Sequence, residues 1–438
     1  MRLKAAFYTL GCKVNQTETE ALSGIFRGGG YEIVPFEERA DVYVINTCTV
    51  TNMGDRKSRQ IIRRAIKINP EAIIVVMGCY AQIAADEVSK IPGVDIVIGT
   101  QDRGRVLELV EEVREAHRPL NVVRDSWQGV SFEELPLIEQ ESRVRATLKI
   151  EEGCNQYCTY CIIPYARGPI RSRPPENALS EAAHLIEAGY KELVLTGIHT
   201  GAYGADLGLD LNYLVQRMAV LPGLRRLRLS SIEPVEITDE LIQTIVANPT
   251  ICRHLHIPLQ SGCDRVLARM HRPYTTQKFA AVVERLREAL PEIAITTDII
   301  VGFPGESETD HQASLEFARS MQFAGIHVFK YSPRAGTPAA GYPDQVRPEV
   351  KEHRSKDLID LARLSWRRYA DNFIGQTVEV LVEQATKPDE WEGHTDNYLR
   401  VRFRAAKDLR GCLVTVKLDK ALKEYLQGIY MEMPRGGG

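Results

Sequence analysis

The chain has 438 residues, of which 44% are hydrophobic and 26% charged, and its net charge is −3. It is too long for one ordinary core and too ordinary in composition for disorder, so two or three globular domains are expected. No apolar run is long enough to cross a bilayer and the total charge is not basic, so a soluble, cytoplasmic protein is expected, with local patches to hold any polyanionic partner. The N-terminus enters a strand pattern directly, with no leader-like apolar region. Nine cysteines, an odd number, argue against a disulfide framework and for metal or redox use.

Residues 1–135 alternate strands and helices. Strands are predicted at 4–10, 41–46, 73–77 and 95–98, with helices near 18–26, 55–68, 81–90 and 103–115. This alternation predicts a doubly wound parallel sheet. Cys12, Cys48 and Cys79 each fall just past a predicted strand, at the carboxyl edge where open α/β sheets bind ligands. Three thiols distant in sequence are therefore expected to converge on one rim as a metal site, although buried free cysteine is also a common use of the residue. Gly28-Gly29-Gly30 reads as a helix-ending turn.

A second α/β unit is predicted from about Ser142. Its first strand, 144–150, leads into Gly153-Cys154-Asn155-Gln156-Tyr157-Cys158-Thr159-Tyr160-Cys161. The spacing is C-x3-C-x2-C, with no fourth ligand at a sensible interval. A structural zinc site needs four protein ligands. An iron–sulfur cube has four metal corners, so three thiolates leave one iron open to a small molecule. Further strands are predicted at 192–196, 226–230, 254–259, 293–301 and 325–331, giving an open barrel of six parallel strands. Their polar endings carry Thr196 and Gly197, Ser231 and Glu233, Gln260, and Asp298 with Gly302, and such endings face the chemistry in barrel folds. Each ending taken alone also reads as a turn or cap.

After a polar helix over 348–370, short strands at 376–383, 397–404, 412–417 and 429–433 predict a small β-barrel. Arg400, Arg402 and Arg404 alternate there with Leu399, Val401 and Phe403, a face that suits either phosphate or plain solvent. Two other basic runs flank the cysteines: Arg56-Lys57-Ser58-Arg59 with Arg63, Arg64 and Lys67, and Arg167 with Arg171 and Arg173. Each is read as an RNA contact or a solvated face. Tyr157, Tyr160 and Tyr165 are candidates for stacking on a splayed base.

The C-x3-C-x2-C loop resembles the radical S-adenosylmethionine enzymes. The order of three-cysteine domain, barrel and terminal small barrel resembles the methylthiotransferases, in which the last module is called TRAM. Within that family, Thr9-Leu10-Gly11-Cys12-Lys13-Val14-Asn15-Gln16, the run 154–173 and Leu195-Thr196-Gly197-Ile198-His199-Thr200-Gly201 look like the branch acting on threonylcarbamoyladenosine in tRNA. The isopentenyladenosine branch shows Gly-Cys-Gln-Met-Asn at the first cysteine, and the branch acting on a ribosomal-protein aspartate shows Gly-Cys-Pro-Lys-Asn. The resemblance implies three domains, at 1–135, 140–371 and 372–438. It implies that Cys154, Cys158 and Cys161 hold a radical-generating 4Fe–4S cluster, and that Cys12, Cys48 and Cys79 hold an auxiliary one. Tyr160, Thr196, Gly197, Ser231, Glu233, Gln260, Asp298 and Gly302 are expected around S-adenosylmethionine. The implied reaction puts a methylthio group on carbon 2 of the adenine beside the anticodon of tRNA. It uses two S-adenosylmethionine molecules and an electron donor such as a flavodoxin or ferredoxin. The alternatives are the other two methylthiotransferase substrates, or a non-catalytic iron–sulfur RNA-binding protein. Cys252, Cys263 and Cys412 are expected to be packing thiols.

Overall fold

A computed structural model describes residues 2–124, 127, 129–135 and 144–432. The predicted starts at Ser142 and residue 140, the end of the 429–433 strand and residue 438 lie outside the described residues. The first six strands are β1 (Lys4–Thr9), β2 (Glu32–Val34), β3 (Val42–Thr47), β4 (Ile73–Gly78), β5 (Ile96–Val97) and β6 (Leu120–Asn121). They form one parallel sheet in the order β2-β1-β3-β4-β5-β6. Alternation along β3 splits the core between the two faces. Val42 and Val44 pack with Leu22 and Phe26 of the helix Lys13–Gly28, while Tyr43 and Ile45 pack with Ile62 of the helix Asn52–Ile68. The sheet has six strands where four are predicted, because β2 and β6 are too short to show a period. The helix expected over 81–90 is two short helices, Cys79–Ile83 and Ala85–Ser89, broken at Ala84.

The next strands are β7 (Arg145–Lys149), the two-residue pair β8 (Glu151–Glu152) and β9 (Arg171–Ser172), then β10 (Glu192–Thr196), β11 (Arg226–Leu229), β12 (His254–His256), β13 (Ala294–Val301) and β14 (Gly325–Lys330). Six of them are parallel, in two sheets of three, β11-β10-β7 and β12-β13-β14. Single bridges, Leu227 to Ile251 and Ser231 to His256, join the two. The result is an open half-barrel, with Leu148, Leu195, Leu227, Leu255 and Ile295 in one continuous core under the outer helices. The helix Pro348–Asp371 then leads to a closed barrel of β15 (Thr377–Lys387), β16 (Glu390–His394), β17 (Arg400–Arg404), β18 (Leu413–Ala421) and β19 (Leu426–Tyr430). It has five strands where four are predicted. Glu390, Glu392 and Gly393 keep β16 from reading as a strand.

The small barrel is docked onto the half-barrel by arginines of β11. Arg226 donates to the carbonyls of His394 and Glu379 at 3.0 and 2.8 Å, and Arg228 to those of Asp396 and Thr395 at 2.8 and 3.2 Å. The N-terminal sheet is tied to the half-barrel by Arg334, which pairs with Asp55 and Thr49.

Candidate active site

The chain order of the first sheet explains where its cysteines lie. From β1 the chain crosses to β2 on one side and returns to β3 on the other, so a crevice opens past the ends of β1 and β3. Cys12 lies three residues past β1, while Cys48 and Cys79 directly follow β3 and β4. Two glycines make room. Gly11 has φ +101°, and a Cβ there would lie 2.8 Å from the Cys48 Cβ. Gly78 has φ +94°, and its Cβ would lie 2.4 Å from the Asn46 side-chain oxygen. Asn15 knits the loops together, donating to the carbonyls of Leu10 and Thr47 at 2.8 and 3.1 Å.

The second triad is local. Gly153, at φ +91°, turns the chain out of β8 so closely against the Pro169 carbonyl that only glycine fits. The loop that follows is pinned by the Cys154 amide on the Gly168 carbonyl at 3.0 Å and the Thr159 amide on that of Met270 at 3.1 Å. Around it, donors point at sulfur. Arg272 donates to the Cys158 sulfur at 3.2 Å, and Glu233 and Tyr274 hold that arginine. The Cys154 sulfur lies 3.6 Å from His199 Nδ1, and His199 Nε2 lies 2.7 Å from Glu236. Arg167 donates to the Cys79 sulfur of the other triad at 3.2 Å.

These contacts test the fit to iron. Burial pushes the Cys79 thiol up to about 11 and that of Cys161 to about 12. Cys79 and Cys161 therefore keep their protons until a positive centre binds, and Arg167, His199 and Arg272 beside Cys79, Cys154 and Cys158 support the anionic sulfur a metal needs. Among the described residues the one set of three ligand atoms within 4.8 Å of one another is His256, Asp298 and His327, not a cysteine triad. Thiols spread more widely suit a multi-iron cluster.

Between the triads lies a buried ionic network that sequence reading missed. Glu18 of the N-terminal domain and Glu152, two residues ahead of Cys154, are shared by Arg103, Lys149 and Arg167, all buried. Arg167 bonds Glu18 at 2.6 Å and Glu152 at 2.7 Å. The adjacent charges Glu151-Glu152 at the end of an apolar strand were the available signal, since a strand rarely buries charge without partners. The same observation corrects the second basic run. Arg167, Arg171 and Arg173 are buried, with Arg173 paired to Glu134 and Glu181 and Arg171 lying 3.8 Å from Glu152, so they do not face RNA. In the first run, Arg56, Lys57, Arg63, Arg64 and Lys67 are exposed. Tyr157 and Tyr165 are also exposed, with ring centroids 5.6 Å apart, whereas Tyr160 packs inward against Phe303.

A cavity of about 870 Å³ opens where the three regions meet. Cys12 and Lys13 form one wall, Thr196, Gly197 and Ser231 another, and Tyr398 and Arg400 of the small barrel a third. Tyr398, at φ +67°, stacks between His254 and His394, 4.8 Å from each ring. The structure thus brings Thr196, Gly197 and Ser231 together and sets Glu233 behind Cys158 through Arg272. Asp298 faces His256 at 3.3 Å. Gln260 and Gly302 spend their amides inside the protein, on the Asp298 carbonyl and the Glu306 carboxylate.

Similarity searches agree with this architecture. Residues 4–99 match "Uncharacterized protein family UPF0004", residues 148–318 the radical SAM superfamily and residues 372–430 the TRAM domain. The threonylcarbamoyladenosine tRNA methylthiotransferase MtaB of Bacillus subtilis is 48% identical over 98% of this chain and 96% of its own length. The chain belongs to the methylthiotransferase family. Another relative, the tRNA-2-methylthio-N(6)-dimethylallyladenosine synthase of Moorella thermoacetica, is 37% identical over 96% of each chain. Among solved structures, the radical S-adenosylmethionine methyltransferase TsrM of Kitasatospora setae shares the fold at TM-score 0.58 and 15% identity, covering 78% of this chain and 77% of that one. As a radical S-adenosylmethionine methylthiotransferase, the chain is an enzyme that uses a 4Fe–4S cluster and S-adenosylmethionine. No helix among its described residues is long and apolar enough to cross a membrane.

Proposed function

We propose that this enzyme methylthiolates carbon 2 of N6-threonylcarbamoyladenosine beside the anticodon of tRNA. The observation that carries this reading is the shared cavity, which puts Cys12 of one triad, the strand endings of the half-barrel and the basic face of the TRAM barrel around one space. The likeness to the Bacillus subtilis enzyme supports the substrate. In this reading Cys154, Cys158 and Cys161 hold one 4Fe–4S cluster, Cys12, Cys48 and Cys79 hold a second, and Thr196, Gly197, Ser231 and Glu233 lie around S-adenosylmethionine. The clusters, when bound, supply the electron for reductive cleavage of S-adenosylmethionine and the sulfur for transfer.

The chain's own residues do the placing. Arg272, His199 and Arg167 hold anionic sulfur, and the buried Glu18–Arg167–Glu152 network fixes the two triads relative to each other while excluding water. Tyr157 and Tyr165 offer exposed rings to a splayed base. Arg56, Lys57 and Arg63 offer phosphate contacts. The domains divide at 1–135, 140–371 and 372–438, and a flavodoxin or ferredoxin supplies electrons in the cytoplasm.

The test is nucleoside mass spectrometry. The anaerobically reconstituted protein is incubated with threonylcarbamoylated tRNA, S-adenosylmethionine, sulfide and a strong reductant. The expected result is the gain of one methylthio group on threonylcarbamoyladenosine. If 5′-deoxyadenosine forms and that nucleoside stays unchanged, the substrate assignment is wrong.

A further inference from the structure

We propose that Lys13 is the cation that recognises the carboxylate of the modified adenosine and thereby sets substrate choice. The inference rests on the substrate reading above. Lys13 opens the helix Lys13–Gly28, directly after Cys12. It lines the shared cavity and also an adjoining pocket of about 390 Å³. Among the described residues its ammonium has no ion pair and no hydrogen bond.

Its neighbours are committed elsewhere. Arg145 lies 3.6 Å from Glu192 and 3.2 Å from Glu383. Arg228 holds Glu192 at 2.7 Å, donates to two carbonyls of the small barrel, and lies over the Tyr398 ring at 4.8 Å. Glu192 and Glu383 are therefore used up; farther round the cavity Arg400 and Lys423 add positive charge and Glu424 one negative charge. Lys13 is exposed at the cavity wall, so its ammonium is free to meet an anion that enters the cavity.

The proposed substrate carries one in the right place. N6 and carbon 2 of adenine are separated only by C6 and N1 of the ring, so a base offering carbon 2 to the Cys12 rim brings its N6 substituent to the residue beside it. The threonylcarbamoyl group ends in a carboxylate, and a dimethylallyl group carries no charge. An ammonium–carboxylate contact is a charge-assisted hydrogen bond, whose loss weakens binding roughly 10- to 100-fold.

The experiment measures binding of anticodon stem–loops to the reconstituted full chain at fixed ionic strength. The loops carry threonylcarbamoyladenosine, its methyl ester or dimethylallyladenosine. Wild type is expected to bind the acid roughly 10- to 100-fold more tightly than the ester. Lys13→Gln should bring that ratio close to one at unchanged iron content, and Lys13→Arg should restore it. An acid-to-ester ratio near one in the wild type overturns the assignment, and so does a ratio that survives Lys13→Gln. Should Lys13→Gln fail to fold or lose iron, Lys13→Met is measured in its place, with the same loss of the ratio expected and its survival overturning the assignment. A wild type that prefers the acid yet makes no methylthio product from it ends the substrate reading, and the inference with it.

Discussion

In the N-terminal domain three thiols separated by dozens of residues reach one rim because three neighbouring parallel strands end there, whereas in the half-barrel three thiols lie in one loop between residues 154 and 161. The first arrangement exists only when the sheet is complete. The second needs little more than a glycine turn and a few backbone bonds. The dispersed triad nevertheless depends on the other domain, because Arg167, six residues past Cys161, reaches across to Cys79. The local site thus supplies a cation to the dispersed one, and the two are assembled as a single unit.

The largest expected effects separate the triads. Cys158→Ala should abolish 5′-deoxyadenosine formation from S-adenosylmethionine, measured by chromatography of the quenched reaction. Cys12→Ala should keep that cleavage and lose the methylthio product altogether. A Cys12→Ala protein that still methylthiolates would merge the two roles this comparison keeps apart. Next in size is Arg167→Met, which leaves Glu18 and Glu152 short of a buried counter-charge. It should cost about 3–5 kcal/mol of stability in urea unfolding. A loss below about 1 kcal/mol would mean that the triads are not joined through this network.

A smaller effect is a change in pH dependence. Burial alone would raise the Glu18 value, but Arg103 and Arg167 pull it well below the usual carboxylate range. A depressed carboxylate adds stability above its unfolded value of about 4.3 and loses it as pH falls through the folded one. Stability should therefore drop below about pH 4, and the drop should be shallower in Glu18→Gln, read from unfolding midpoints across an acid series. The smallest effect belongs to a cysteine outside both triads. Cys412→Ser, at an exposed position, should change stability by less than about 0.5 kcal/mol and leave iron content unchanged.

Sequence reading recovered what local spacing controls. The 154–161 loop announced itself, and strand period alone put Cys12, Cys48 and Cys79 at strand ends. The half-barrel followed from six strands with helices between them and the small barrel from short strands without helices. What escaped was set by partners distant in the chain. Arg167, Arg171 and Arg173 read as a basic run because their acids are elsewhere, Glu18 being 149 positions from Arg167. The short strands β2 and β6 pair with neighbours that no window of sequence contains. In the sequence Lys13 is only one letter of a motif, and its lack of a partner among the described residues becomes visible once Arg145, Arg228 and Tyr398 are folded near it.

The docking of the small barrel has a consequence for how such an enzyme can change. Arg226 and Arg228 grip it mainly by the carbonyls of Glu379, His394, Thr395 and Asp396, and every residue type offers a carbonyl. These backbone bonds place little demand on side-chain identity at 394–396, whereas Glu379, Glu383 and Tyr398 are held through their side chains. Outward-facing positions of the module are free to drift toward a different RNA while the module keeps its seat above the cavity. A fixed mount with an interchangeable face lets one catalytic body serve new transcripts without being rebuilt.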